Sequence, residues 1–173
     1  MAKRLRKPAP TIHSQARGLR LDPLRWNSFW TEGVHALNNA VDHGIEAAEV
    51  RRAAGKPECG QIWLEAAEAE DGLTLTMRDD GAGVDWDAVA ARAAAKGLPH
   101  DSPRDLVEAL FADGLSTRDE ASLTSGRGTG MGALRASVRE LGGAVEVTST
   151  RGQGTVLTFR FPREKQPRLD QAA

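Results

Sequence analysis

Cysteine is nearly missing from this sequence. Cys59 stands alone among 173 residues, which excludes an internal disulfide and a thiol-built metal site and points to a reducing, cytoplasmic setting. A charge excess is missing too: the formal net charge is -1, so nothing in the balance demands nucleic acid or a membrane surface. No stretch approaches the ~18 consecutive apolar residues of a bilayer span. The basic start, MAKRLRKPAP, lacks the apolar run of a secretory signal. Nucleic-acid binding and direct membrane insertion are therefore not expected, and neither internal repeats nor low-complexity tracts interrupt the chain. What remains is 40% hydrophobic and 27% charged, long enough for one domain whose core needs no crosslinks.

The stretch from Trp26 to Glu46, WNSFWTEGVHALNNAVDHGIE, reads as one amphipathic helix. Trp26, Trp30, Val34, Leu37, Val41 and Ile45 recur at helical spacing and should face the core. Opposite them fall His35, Asn39, Asp42 and Glu46, flanked by Asn38 and His43. Such a polar row is either a wetted helix face or a site, and the helix alone does not decide between them. Before it, residues 1–20 are basic and aperiodic and read as a flexible arm. After it, AAEVRRAAG is a second short helical piece that Pro57 stops.

From Gln61 the period changes to two. Ile62, Leu64 and Ala66, then Leu73, Leu75 and Met77, alternate with other residues around the turn Glu70-Asp71-Gly72, which predicts a β-hairpin over 61–79. Parity places Asp79, not Asp80, on the apolar side, and a carboxylate there needs a donor partner. Residues 85–97 and 103–110 read as helices, opened by Asp85 and by Ser102-Pro103. The polar segment between Phe111 and Gly128 reads as a mobile loop. A helix follows from Met131 to Leu141, then a second hairpin over 144–161 in which Thr155 faces inward with Leu157. The charged tail, 163–173, reads as loose.

The run SGRGTGMG carries glycines 126, 128, 130 and 132 directly into that last helix. Unsatisfied amides and the positive dipole end make a helix N-terminus a natural phosphate site, although a plain flexible linker has the same composition. A P-loop is excluded, because Gly55-Lys56 is followed by proline. A dinucleotide fingerprint is met formally by Gly128, Gly130 and Ala133, but no strand precedes it. Taken together, Asn39 as an oxygen ligand for Mg²⁺, a buried Asp79 accepting from an exocyclic amine, and a glycine loop for phosphates would divide the work of binding ATP.

Five blocks carry a family resemblance: HALNNAVDHGIE, EVRRAAGKP, RDDGAGV, LFADGLSTRDEASLTSGRGTGMGALRASVRELGG and STRGQGTVLTFRFP. In order and spacing they resemble the catalytic ATP-binding domain of chemotaxis-type histidine kinases, within the wider histidine kinase, gyrase, Hsp90 and MutL-type ATPase superfamily. The resemblance covers residues 21–162 and implies a Bergerat α/β sandwich, with helices on one face of a mixed sheet. It implies Asn39 as the Mg²⁺ ligand and His35 in the place of a general base, with Asp42 and His43 as phosphate-side or structural companions. Asp79 would hold the adenine amino group, with Gly81 and Gly83 in the adjoining turn and Thr155 beside the base. Phe111, Ser116 and Thr117 would edge the ATP lid, and Gly126, Arg127, Gly128, Thr129, Gly130 and Met131 would form the phosphate loop.

The chain departs from the family pattern at Asn38, where arginine is usual, and at Gly132, where aspartate is usual. It also shows no HxxKG phosphotransfer motif and no long dimerisation hairpin. The implied function is therefore transfer of the γ-phosphoryl group of Mg-ATP to a histidine on a separate domain or protein, with a response regulator downstream. Any dimer would run through domains outside this chain. The alternatives are an ATP-binding regulatory module that phosphorylates nothing and a serine kinase of the anti-sigma type.

Overall fold

The computed structural model describes residues 7–16, 18–112 and 130–163. In chain order they form β1 (Thr11–Gln15), α1 (Asn27–Asn39), a π-helical turn (Ala40–Gly44), α2 (Ala48–Ala53), β2 (Gln61–Ala69) and β3 (Gly72–Asp79). Then come α3 (Trp86–Ala95), α4 (Pro103–Leu110), α5 (Met131–Glu140), β4 (Ala144–Thr150) and β5 (Gly154–Pro162). The local chemistry sets these bounds. The Asp85 carboxylate accepts the Ala88 amide at 3.0 Å and opens α3. Ser102 and Asp105 close a capping box around Pro103 at the head of α4.

The strands make one mixed sheet in the order β1-β2-β3-β5-β4. Only β1 runs parallel to its neighbour; the other pairings are antiparallel, with Ile62 opposite Asp79 and Met77 opposite Leu157. One sheet face buries Leu73, Leu75, Leu157, Phe159 and Phe161 against Trp26 and Phe29, ahead of and in α1, and Leu134 and Val138 of α5. Along β4 the alternate residues Ala144, Glu146, Thr148 and Thr150 are exposed. This is the expected α/β sandwich. A smaller cluster, Val89, Ala93 and Ala109, joins α3 to α4.

Three features differ from the sequence reading. Part of the expected flexible arm is a strand: β1 pairs with β2, the Thr11 amide donates to the Gly60 carbonyl at 2.8 Å, and Lys7 Nζ donates to the carbonyls of Asp42 and Ile45. Backbone ladder bonds hold it rather than burial, since all five residues are exposed, and so no hydrophobic period announces it. The core face of α1 is also rotated by about one residue. Phe29 and Gly33 are buried, whereas Trp30 and Val34 are 47% and 53% exposed. Ala36, on the same side as Phe29, packs against the core cluster, and α1 lies against α5; which stripe turns inward is set by these distant partners, which hydrophobicity along one segment does not register. Finally, the helix does not run regularly to Glu46. It widens over Ala40–Gly44, where the Ile45 amide donates to the Ala40 carbonyl five residues back, and Ile45 is extended.

Candidate functional site

Asp79 ends β3 with its side chain directed to the buried side, as strand parity requires, and is 8% exposed. The Gly81 amide donates to Asp79 Oδ1 at 2.8 Å, and the Thr155 amide lies on the carboxylate's side and favours its charged form. Burial pushes its pKa above the ordinary aspartate value; the two amides oppose the shift, while Asp80 and Glu46 add to it. Asp80, one residue on, points away and bonds Arg51 Nη2 at 2.7 Å and the Gln61 amide at 2.9 Å. The two adjacent aspartates thus do different work. Asp80 is consumed internally, whereas Asp79 retains acceptor capacity for an N–H donor in a partly desolvated place.

The loop after Asp79 is shaped by contacts that only glycine tolerates. A β-carbon on Gly81 would press into the Gly44 carbonyl and lie 2.9 Å from Asp79 Oδ1. Gly83 has φ +76° beside the carbonyl of Thr150. Between them the Ala82 amide donates to the Gly44 carbonyl at 2.8 Å, and its carbonyl accepts the Gly152 amide at 2.7 Å. This loop therefore bridges the end of the π-turn and the β4–β5 turn. Thr155 is half-buried at that second contact, with Oγ1 3.1 Å from Ser149 Oγ.

His35, Asn39, Asp42 and His43 are all exposed. His35 and Asn39 sit four residues apart on one face of α1, and Asp42 and His43 lie within the π-turn whose last residue, Gly44, touches the Asp79 loop. Phe111 is buried at the end of α4 under the Arg135 guanidinium, 5.1 Å from its ring centre. It lines one cleft with Gly132, so the ends of α4 and α5 converge. Gly130 is the extended N-cap of α5 and Met131 its first residue, packed against the core. Ser116, Thr117, Gly126, Arg127, Gly128 and Thr129 lie outside the described residues.

Arg51 and Lys56 fall in the block EVRRAAGKP, but the sequence assigned neither a role. Arg51 is fully buried and Lys56 partly buried, and both bond Glu46 and the Asp80–Gly81 backbone. Their signal was an arginine inside a short helix and a lysine before proline, which a solvated surface carries equally well.

The chain resembles known proteins at several levels. Residues 33–165 match the family model described as histidine kinase-, DNA gyrase B-, and HSP90-like ATPase. The chemotaxis protein CheA of Halobacterium salinarum is 45% identical over 135 residues, spanning 75% of this chain and 20% of that protein. The gliding motility regulatory protein of Myxococcus xanthus is 39% identical over 136 residues, 75% of this chain and 18% of its own length. The chain thus spans about a fifth of these relatives. In fold, the histidine kinase domain of the blue-light activated histidine kinase EL346 from Erythrobacter litoralis superposes with a TM-score of 0.53 at 18% identity, covering 89% of this chain and 52% of that one. Among the described residues no helix is long and apolar enough to cross a membrane. A five-stranded mixed sheet under helices among the described residues, a buried aspartate closing its third strand, and a family match over most of the length lead to one assignment: this chain belongs to the histidine kinase-, DNA gyrase B- and HSP90-like ATPases, and its ATPase region is similar in sequence to that of CheA proteins.

Proposed function

We propose that the chain binds Mg-ATP and transfers the γ-phosphoryl group to a histidine on a separate domain or protein, as part of a two-component pathway with a response regulator downstream. The observation that carries this reading is Asp79. It is a buried carboxylate, held by the Gly81 amide, at a loop docked on the end of the helical segment that bears His35 and Asn39. Such a group discriminates a planar amine from a carbonyl, which is what selecting adenine requires. Thr155 beside it adds a hydroxyl at the same edge.

Phosphoryl transfer asks a protein chiefly for positioning and charge neutralisation. Asp79 and Thr155 would hold the base, and the exposed row His35, Asn39, Asp42, His43 would line the phosphate side. Phe111, Ser116 and Thr117 would edge the lid, and Gly126 to Met131 would supply amides to the phosphates. Mg²⁺ keeps several waters and is held largely by phosphate oxygens, so one exposed carboxamide oxygen, that of Asn39 on α1, would suffice as its protein ligand. When bound, Mg²⁺ supplies neutralisation of phosphate charge. His35, one helical turn away, would orient or deprotonate the acceptor imidazole.

The test is incubation of the chain with γ-labelled ATP and a purified histidine phosphotransfer domain. Acid-labile label on the acceptor is expected, and Asn39→Ala is expected to abolish it; near-normal transfer by that variant sinks the assignment of Asn39. Nucleotide binding with no transfer to any histidine acceptor favours the second reading, an ATP-binding regulatory module. Asn38 and Gly132 in place of the usual arginine and aspartate support that reading. An acid-stable product points to a serine kinase.

A further inference from the structure

We propose that Arg51 and Lys56 are positioning residues for base recognition: a two-cation tether that sets the Asp79 loop in place and so gives the chain its preference for adenine over other purines. This rests on the reading of Asp79 as the adenine contact. The observation behind it is complete use of donors. A guanidinium has five N–H donors and an ammonium three. Arg51 directs Nε to the Pro57 carbonyl at 2.7 Å, Nη1 to Glu46 Oε2 at 3.0 Å and the Asp80 carbonyl at 3.3 Å, and Nη2 to Asp80 Oδ2 at 2.7 Å and the Cys59 carbonyl at 3.4 Å. Lys56 Nζ donates to Glu46 Oε1 at 2.7 Å and to the carbonyls of Asp80 and Gly81 at 2.8 and 2.9 Å. No donor is left for solvent or ligand, so these cations serve geometry.

The acceptors show which geometry. Four of the eight bonds end on Asp80 or Gly81, the residues directly after Asp79, and two end on Glu46, two residues beyond the π-turn. Gly81 is also the residue whose amide orients the Asp79 carboxylate, so Lys56 grips the carbonyl side of a residue whose N–H holds the recognition group. A fully buried guanidinium with every donor satisfied is costly to hold in any other geometry, and a carboxylate that must discriminate two purines needs its orientation fixed. Lys56 retains both the charge and the reach to cross from α2 to β3, while Arg51 supplies the planar fork that two carboxylates and three carbonyls can share.

The test compares ATP with inosine triphosphate, in which a carbonyl replaces the exocyclic amine, by calorimetry on the folded chain and on Asp79→Asn, Lys56→Met and Lys56→Arg, with melting temperature recorded for each. Lys56→Met is expected to lower the ATP-to-ITP preference by about tenfold, the scale of one charge-assisted hydrogen bond, and Lys56→Arg to recover part of it. A Lys56→Met protein that melts earlier but keeps the preference overturns the proposal, since a purely stabilising role moves only the melting temperature. Should Lys56→Met not fold, Glu46→Gln, which loosens the same lysine, decides by the same ratio. If Asp79→Asn leaves the preference intact, the adenine assignment fails and the tether's role with it; if Asp79→Asn abolishes the preference and the tether variants do not touch it, only the tether fails.

Discussion

At the scale of single residues, Asp79 couples recognition to stability with opposite signs. Burial holds its pKa above the ordinary value, so the native state keeps its proton at pH where the unfolded chain has lost it. Its contribution to stability is therefore fully present below the unfolded value of 3.8 and is lost as pH rises through the native one. Glu46 runs the other way. Burial works against its charge, yet Lys56, its own backbone amide and Arg51 hold its pKa below 4.5, so its contribution is present above that value and lost on acidification. Asp79→Asn is expected to remove the first component, flattening the decline of stability as pH rises above 3.8 in denaturant titrations. The same substitution should cost about 1.5–3 kcal/mol of ATP affinity, the net value of a hydrogen bond to a charged group. Affinity falls as pH drops through the native pKa, because the protonated carboxyl no longer offers two acceptors to an amine. Calorimetry across that range checks both, and unchanged binding by Asp79→Asn removes Asp79 from the base site.

At the scale of elements, α1 shows what a hydrophobic pattern can and cannot specify. Two helical stripes share Trp26. One continues through Trp30 and Val34, the other through Phe29, Gly33 and Ala36, and the first is the more apolar by composition. The fold uses the second, because Phe29 meets Trp26, Phe159 and Phe161 edge-on at 5.2–5.6 Å and so joins the aromatic centre of the core. Phe29→Ala is expected to cost about 3–5 kcal/mol, the range for a buried aromatic, and Trp30→Ala about 1 kcal/mol or less, as an edge contact at a half-exposed site. Urea titration of the two variants measures the phase of the helix directly, and the reverse order would restore the stripe through Trp30. The shorter elements were plainer in the sequence: the hairpins over 61–79 and 144–161, the Asp85 and Ser102 caps and the stop at Gly142 all depend on neighbours within a few residues.

At the scale of the whole molecule, the non-local contacts decide how the site is assembled. β1 adds an edge strand parallel to β2, and Lys7 reaches 35 residues along the chain to the Asp42 carbonyl, so the segment before α1 is tied to the helix end that carries the proposed phosphate-side residues. Removing residues 1–16 exposes the backbone edge of β2, and concentration-dependent self-association by analytical ultracentrifugation is the expected result; a strictly monomeric truncation with unchanged stability would show that β1 guards nothing. What the sequence determined alone was the class of fold, through the family resemblance its blocks carry, and the helices and hairpins after the basic arm, the burial of Asp79 rather than Asp80 and the polar row of α1, which follow from period, capping or parity within one segment. Tertiary structure decided the rest: which stripe of α1 is buried, the strand in the basic arm, and the Arg51–Lys56 network. Those depend on where distant atoms come to lie, and a burial partner, a ladder partner or a satisfied donor has no signature in the residues that precede and follow it.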